Sequence, residues 1–541
     1  MTGKNNRNRL AAISFVAILV IAGCMRLWTL GYNWFYEPDI YLYYSVILQT
    51  LANGLRIPNP LHYTGFPIHT SFSEKPGLIY ITLVPYLMAR AIDGNISLYS
   101  VFRILPALSG IFEVIAAYLL AYALTKKRGI ALLAMLFMAV IPAGVVHTIA
   151  GRSRGDAFVP TMAAFIMLAG ALALSSDVTV WKRIGMLSVV IVLLAWAAVT
   201  WTGYVYLYGL LLLFGIGCVV FFITKDLIKT SLAVLSIGII GWVGIWAAMP
   251  HVLPAYYAYF SQRVWNTIAE TQPPNILGVF TGLDIFALFA PIGVIAYAVH
   301  NRKNARDGVY AYAALFACLV IGSILAGWQI RWESIVALPV AVFSAYAVSA
   351  ISDRASHVKS LPHLGPTVFS ACVSLTIILS LGLVLTISPQ NAPTQQFMNA
   401  MSWLRGNTAP NSTIMTLWED GSIVQAFSNR TVYVDSVDWG QNSMNLSTIY
   451  KIYNFSSFLV AKEGNFTFLG RTKPDYLVAM EYWMNDSQSI EGEANRTGIN
   501  VNYTNLYLIT HPTGSALFGY GAELTRVYNN TDVIIYKVSA T

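Results

Sequence analysis

From residue 11 to residue 387 the chain repeats one device: an apolar run about 20 residues long, the length an α-helix needs to cross a bilayer, followed by a short polar joint. Hydrocarbon offers backbone N–H and C=O groups no water, so such runs fold as helices. Eleven spans are expected, near 11–30, 98–124, 129–147, 157–175, 184–200, 205–224, 230–249, 277–300, 308–328, 332–352 and 366–387. Charged residues make up only 11% of the chain and hydrophobic ones 56%. A soluble domain carries about 25% charged residues, so a soluble, disordered or collagen-like protein is excluded. The formal net charge of +8 would suggest nucleic acid in a soluble domain, but here Lys and Arg occupy the joints, and no nucleic-acid partner is expected.

Those positive charges set an orientation. Lys4, Arg7 and Arg9, then Lys126 to Arg128, Lys182 and Arg183, Lys225 and Lys229, Arg302 to Arg306, and Arg354 with Lys359 fall on alternate joints, which places those joints in the cytoplasm. An odd number of spans puts the N-terminus inside the cell membrane and the C-terminal segment outside. The expected organisation is a polytopic transmembrane domain over 1–387 and an extracytoplasmic mixed α/β domain over 388–541. The membrane part has about eleven to thirteen spans and a long first outer loop at 31–97. Within that loop, residues 76–92 read as an interfacial or re-entrant piece. The first apolar run has no small-residue cleavage site behind it and is kept as a span.

The four cysteines, Cys24, Cys218, Cys318 and Cys372, lie inside apolar runs and read as small buried hydrophobes, leaving the outer domain without a disulfide. That domain is instead rich in Asn-x-Ser/Thr: of 16 asparagines after residue 390, nine open such a triplet, among them Asn411, Asn429 and Asn529, whereas the membrane part has only Asn95. The concentration fits a domain on the side where such sites are glycosylated and, with the lack of cysteine, an archaeal cell surface.

The carboxylates are more informative than their number. Asp39 in FYEPDIYLYY follows the first span, Asp156 in GRSRGDAF lies between the third and fourth, Glu270 in WNTIAETQPP follows the seventh, and Glu419 and Asp420 in TLWEDGS open the last domain. All face outward by the charge topology. Several carboxylates from separate outer loops are what a hard divalent cation, Mn2+ or Mg2+, takes as ligands. Each has a plainer reading: Asp39 as a turn residue after Pro38, Asp156 as the cap of a helix starting at Ala157, Glu270 as a solvated loop charge, and WEDG as a tight turn opening a strand. A third class of function, ion transport, calls for charge in the middle of the spans, and the spans look almost free of it.

Taken together these residues resemble the catalytic subunit of the oligosaccharyltransferases, in a short and divergent form of the archaeal-type dolichyl-phosphooligosaccharide-protein glycotransferase. MSWLRGNTAPNSTIMTLWEDGSIVQAFSNRTVYVD, residues 401–435, is similar to the segment where a WLR-type helix leads into that family's WWDYG signature and an ANRT-type strand. Upstream, in order, Asp39 with Tyr41 and Tyr44 resembles the first acidic motif. Arg152 and Ser153 before Asp156 resemble the second, TIAE ending at Glu270 resembles the TIXE motif, and Arg331-Trp332 resembles an arginine at the outer end of a late span. The resemblance implies a GT-C type membrane fold and transfer of a glycan from a dolichol-type phosphate or pyrophosphate carrier to the amide nitrogen of Asn in Asn-x-Ser/Thr, by a single subunit acting with membrane lipid around it. It assigns Asp39, Asp156 and Glu270 to the metal and the acceptor amide. Arg331 and Arg152 fall to the substrate, and Trp418, Glu419, Asp420 and Gly421 to the pocket for the Ser/Thr hydroxyl.

The sequence departs from the family pattern in three ways. WWDYG reads Leu417-Trp418-Glu419-Asp420-Gly421, which leaves Glu419 and Asp420 as alternatives for the carboxylate. The second acidic motif keeps Asp156 alone, with Ala157 and Phe158 where a partner acid would follow, and Glu37 is a substitute oxygen donor. The supporting helix motif downstream is represented only by Lys451. The altered WEDG favours an alternative function: a paralogous membrane glycosyltransferase that uses a lipid-linked sugar donor with a non-sequon acceptor.

Overall fold

The computed structural model describes residues 2–32, 35, 37–63, 72, 75–175, 178–201, 204–222, 228–248, 276–301, 333–357, 363–385, 393–416, 418–432, 476–480, 522–530 and 533–540. In chain order its helices begin with α1 (Thr2–Leu27), α2 (Pro38–Ala52), α3 (Gly77–Ile92), α4 (Leu98–Thr125), α5 (Arg128–Val140), α6 (Pro142–Val146), α7 (Val159–Ala173), α8 (Val180–Thr200), α9 (Tyr204–Phe222) and α10 (Ile228–Ala248). They continue with α11 (Ile276–Leu283), α12 (Phe286–Asn301), α13 (Glu333–Ser356), α14 (Leu364–Leu385), α15 (Gln395–Asn407) and α16 (Trp418–Ser428). The strands are β1 (Thr413–Met415), β2 (Thr431–Val432), β3 (Tyr476–Met480), β4 (Ala522–Asn529) and β5 (Val533–Ala540).

Two compact units result. The first joins Met1–Tyr32 to Asp93–Ser388, and the second joins Asn33–Ile92 to Pro389–Thr541. Most of the outer loop at 31–97 therefore packs with the C-terminal segment.

In the first unit, six described helices are long and apolar enough to cross a bilayer, and the protein is a multi-pass membrane protein. Its core is the facing surfaces of α1, α4, α5, α7, α12 and α13, locked by edge-to-face ring pairs such as Phe137 with Phe286 at 5.0 Å and Tyr297 with Tyr346 at 5.1 Å. Trp181, Ile240, Ile378 and Leu385 stay exposed, as apolar groups facing lipid should.

Three expectations are corrected. The span expected at 129–147 stops at Val140, because Ile141 precedes Pro142 and takes an extended ψ of 122°. The span expected at 277–300 breaks at Asp284, whose φ is +54°. The spans are also not free of charge: Glu113 and Arg26 are fully buried and attract each other, and Arg103 is buried in α4. The expected span 308–328 lies outside the described residues.

The second unit holds a five-stranded sheet in the order β2-β1-β3-β5-β4. β1 runs parallel to β2 and β3, and β5 runs antiparallel to β3 and β4. α16 connects β1 to β2 as a parallel crossover. It ends at Asn429, whose left-handed φ of +52° suits an asparagine just past a helix end. The next residue, Arg430, is buried and spends its guanidinium on carbonyls at the end of α15, donating to Arg405 O at 2.8 Å and to Thr408 O at 2.6 Å. The triplet at Asn429 is thus part of the fold's wiring.

Candidate active site

The segment carrying Asp156 is tied down from both sides. After Pro142 breaks the helix, residues 147–158 run between the end of α1 and the start of α4. Ala150 N–H donates to Arg26 O and Gly151 N–H to Arg103 O, both at 2.8 Å. Thr29 Oγ1 donates to Ala150 O at 2.7 Å, and the Ser153 hydroxyl donates to Phe102 O. Arg26 Nε donates to Thr148 Oγ1 at 2.9 Å. Gly155 is required by close approach: a Cβ there would lie 2.7 Å from Trp201 Cδ1 at the end of α8.

Asp156 sits in a 3-10 turn, Gly155–Ala157, and is buried. α7 starts at Val159 and has no side-chain cap, so helix capping is not what this carboxylate does. Its Oδ2 lies 3.4 Å from His147 Nδ1, and its Oδ1 lies 3.8 Å from Arg154 Nε. Both side chains are buried, so the long His147 contact and the Arg154 approach are what offset the desolvation of the carboxylate. His147 on one side and Arg154 and Arg152 on the other hold the Asp156 carboxyl well below the usual carboxylate range, so it stays ionised in its buried seat, the state a cation ligand needs. Arg152 is buried in the same segment and donates to Val146 O at 3.1 Å. His147 carried no motif in the sequence; only its nine-residue separation from Asp156, folded back by Pro142, brings it here.

The second unit holds Asp39 and the WEDG segment. Asp39 stands in the first turn of α2, behind Pro38 at the first helical position, which makes it a helix residue and not a turn residue. The buried face of α2, with Ile40, Tyr41, Tyr44 and Ile47, packs on α16. Phe427 of α16 lies edge-on to Tyr41 at 5.7 Å and stacks on Tyr44 at 6.2 Å. The Tyr41 hydroxyl accepts the Phe35 N–H at 3.0 Å. Trp418, Glu419, Asp420 and Gly421 form the first turn of α16, so WEDG opens a helix and not a strand. Asp420 is buried there. The helix of the first acidic motif and the helix of the WEDG segment are therefore direct packing partners. Glu270, Arg331 and Lys451 lie outside the described residues. Among the described residues no three His, Cys, Asp or Glu side chains converge as a metal set.

The arrangement of a helical membrane unit with a mixed α/β domain is the GT-C glycosyltransferase fold, and solved structures bear this out. Archaeal oligosaccharyltransferase AglB from Archaeoglobus fulgidus, in complex with an inhibitory peptide and a dolichol-phosphate, superposes with a TM-score of 0.67 at 15% identity, over 88% of this chain and 70% of that one. The Archaeoglobus fulgidus oligosaccharyltransferase complexed with Zn and sulfate gives 0.63 at 16% identity, over 97% and 73%. ArnT from Cupriavidus metallidurans bound to undecaprenyl phosphate gives 0.56 at 13% identity, over 98% of both chains. No curated protein matches the sequence. Residues 9–253 match the family described as Oligosaccharyl transferase STT3, N-terminal, a likeness in line with the fold shared with the STT3/AglB-type oligosaccharyltransferases. It is an enzyme, a glycosyltransferase.

Proposed function

We propose that the protein performs N-glycosylation, transferring a glycan from a dolichol-type phosphate or pyrophosphate carrier to Asn of Asn-x-Ser/Thr in an acceptor polypeptide, as a single subunit in an archaeal cell membrane with its N-terminus cytoplasmic and its C-terminal domain extracellular. The observation that carries the reading is the match of residues 9–253 to the STT3 family, a stretch that contains Asp39 and Asp156 in the order the acidic motifs require. Further support comes from the Archaeoglobus fulgidus structures, solved with a dolichol-phosphate and with a tethered peptide containing the NVT sequon.

In this reading Asp39, Asp156 and Glu270 are ligands for Mn2+ or Mg2+, and such an ion supplies Lewis acidity to a departing phosphate. Glu270 also holds the acceptor amide, whose lone pair is delocalised into its carbonyl and needs orientation to attack. Arg331 meets the lipid phosphate. The first turn of α16, Trp418 to Gly421, receives the sequon hydroxyl, with Asp420 as its buried carboxylate. Arg152 serves less as a direct substrate contact than the resemblance implies, since its guanidinium is engaged with Val146 O inside the loop.

The second reading, a paralogue with a non-sequon acceptor, is favoured by the altered WEDG segment and by the full-length likeness to ArnT. Purified protein with lipid-linked oligosaccharide, Mn2+ and paired peptides separates the two. Product on an Asn-x-Thr peptide and none on its Asn-x-Ala counterpart supports N-glycosylation, and product on neither peptide rejects it.

A further inference from the structure

We infer that α3 is an interfacial helix whose outward stripe, Val84, Met88 and Ile92, lies in the surface of the bilayer and ties the helix of Asp39 to lipid. Only the naming of that surface as the outer one rests on the orientation proposed above.

The sequence left residues 76–92 as an interfacial or a re-entrant piece, and the structure separates the two. α3 is continuous over 16 residues, about 24 Å of helix, so it does not turn back within the hydrocarbon and is too short to cross about 30 Å of it. One face is committed to protein. Leu78, Ile79, Thr82, Leu83 and Tyr86 are buried inside the second unit, where α3 packs on α2. The other face has no polar cover: Val84, Met88 and Ile92 recur every four residues, which keeps them on one stripe, and they are 52%, 65% and 89% exposed. A neighbouring helix of the same unit shows the contrast. α15 buries Phe397, Met398, Met401 and Leu404 and exposes Gln396, Asn399, Ser402 and Arg405. Water selects that division into an apolar and a polar face, whereas a helix apolar on both faces calls for protein or lipid on each.

Lipid is the cover that the chain itself supplies. Ile92 ends α3, and Leu98 begins α4, a helix long and apolar enough to cross the bilayer. Six residue steps reach at most about 20–22 Å. The joint is folded shorter still: Asn95 N–H donates to Asp93 Oδ1 at 3.0 Å, Ile96 N–H donates to Asp93 O at 3.2 Å, and the Ser97 side chain caps α4 by accepting the Ser100 N–H at 3.1 Å. The stripe is therefore one short turn of chain away from a helix whose Leu108 and Phe112 are exposed to lipid. The single charge of α3 fits the same seat. Arg90 Nη1 donates to the Tyr86 hydroxyl at 3.0 Å, with the guanidinium 5.9 Å from that ring's centroid. A basic head drawn to a polar ring tip, above an apolar stem, is how such a side chain sits at the headgroups. Because α2 and α3 pack together, a fixed depth for α3 sets the height of the first turn of α2, where Asp39 stands.

The test uses the full-length wild type in nanodiscs containing a phospholipid with a diazirine in its acyl chain, followed by illumination and peptide mapping. The inference expects lipid adducts on Val84, Met88 or Ile92 at yields within about threefold of those on Ile240 and Ile378, and none on α15. V84E/M88E should cut the α3 adducts at least about fivefold and leave those on Ile240 and Ile378 unchanged. Adducts that the double variant does not diminish would overturn the inference. Peroxide oxidation of Met88 identifies any other cover. No adduct together with oxidation as fast as that of free methionine means that the stripe faces water, and no adduct with Met88 protected means that a second copy or another protein sits on it. Either result overturns the inference. Photolabelling reads insertion alone, so adducts on α3 beside a failed peptide assay would reject the glycosylation reading and leave this one standing.

Discussion

Replacing Arg26 by methionine should damage the protein more than replacing Arg26 and Glu113 together. Both residues are fully buried in the first unit, and they are opposite charges that attract each other. Arg26 also donates to Thr148 Oγ1 at 2.9 Å and Ala139 O at 3.1 Å. Losing those bonds is the smaller part, because Thr148 Oγ1 keeps its own bond to Gly144 O at 2.6 Å and the carbonyls sit at helix ends. The guanidinium also reaches Met138 O at 3.4 Å and Ala22 O at 3.5 Å, and its two shorter bonds account for about 1–3 kcal/mol. The larger part is Glu113, whose two carboxyl oxygens already lack hydrogen bonds and would be left buried without the opposite group that offsets their desolvation. Breaking a buried pair from one side costs about 3–5 kcal/mol, while exchanging both members for apolar groups of similar volume is often neutral. R26M should therefore unfold at markedly lower temperature than wild type, and R26M/E113L should recover at least about 2 kcal/mol of the loss, a coupling of the size expected for residues in one network. Thermal unfolding of the detergent-solubilised full chain gives the ranking. A double variant as unstable as R26M, or worse, would refute the argument that the pair is held by mutual neutralisation.

Asp39→Ala and Glu270→Ala should each lower turnover at least about tenfold, a loss of about 1.4 kcal/mol of transition-state stabilisation, in the peptide assay with saturating Mn2+; near-normal rates would remove their assigned roles. Gly155→Val should force Trp201 off its seat and misplace Asp156, so Mn2+ affinity should fall with activity, whereas the same substitution at Gly129, where nothing lies within 4 Å, should be tolerated. Arg430→Ala should destabilise the second unit by about 2–4 kcal/mol through the carbonyls it leaves unpaired at the end of α15, seen as faster proteolysis of the C-terminal segment. Peptide mapping of the native protein should find Asn429 unmodified, because its backbone closes α16 and its carbonyl accepts Arg430.

The membrane architecture was legible because lipid imposes a length and a composition that any reader of the sequence can see. Places where it failed are local and have physical causes. Pro142 cut one expected span, since the residue before a proline resists the helical conformation, and a positive φ at Asp284 cut another. Arg26 and Glu113 escaped notice as a pair because their attraction depends on α1 lying against α4, which no periodicity reveals. Asp39, Asp156 and the WEDG segment were singled out through motif order, and the structure packs the helix of Asp39 on that of WEDG within the second unit, while Asp156 belongs to the first. WEDG was still assigned the wrong local structure, because four polar and small residues after a strand look like a turn until the apolar face of Ile423, Val424 and Phe427 is seen to belong to a helix. His147 was invisible for a different reason: a histidine nine residues from its carboxylate has no regular spacing, and only the reversal after Pro142 joins them.

The packing of α2 on α16 carries a cost in time. Tyr44 and Phe427 stack on each other, yet about 380 residues of chain separate them. At about 5–20 residues per second, the ribosome needs roughly 20–80 s to deliver the partner after the first helix has emerged. During that interval the tyrosine-lined face of α2 waits without its cover, so the second unit is complete only after α16 is made. Chains that stop short of α16, though already threaded through the bilayer, would carry Asp39 on a helix without its packing partner.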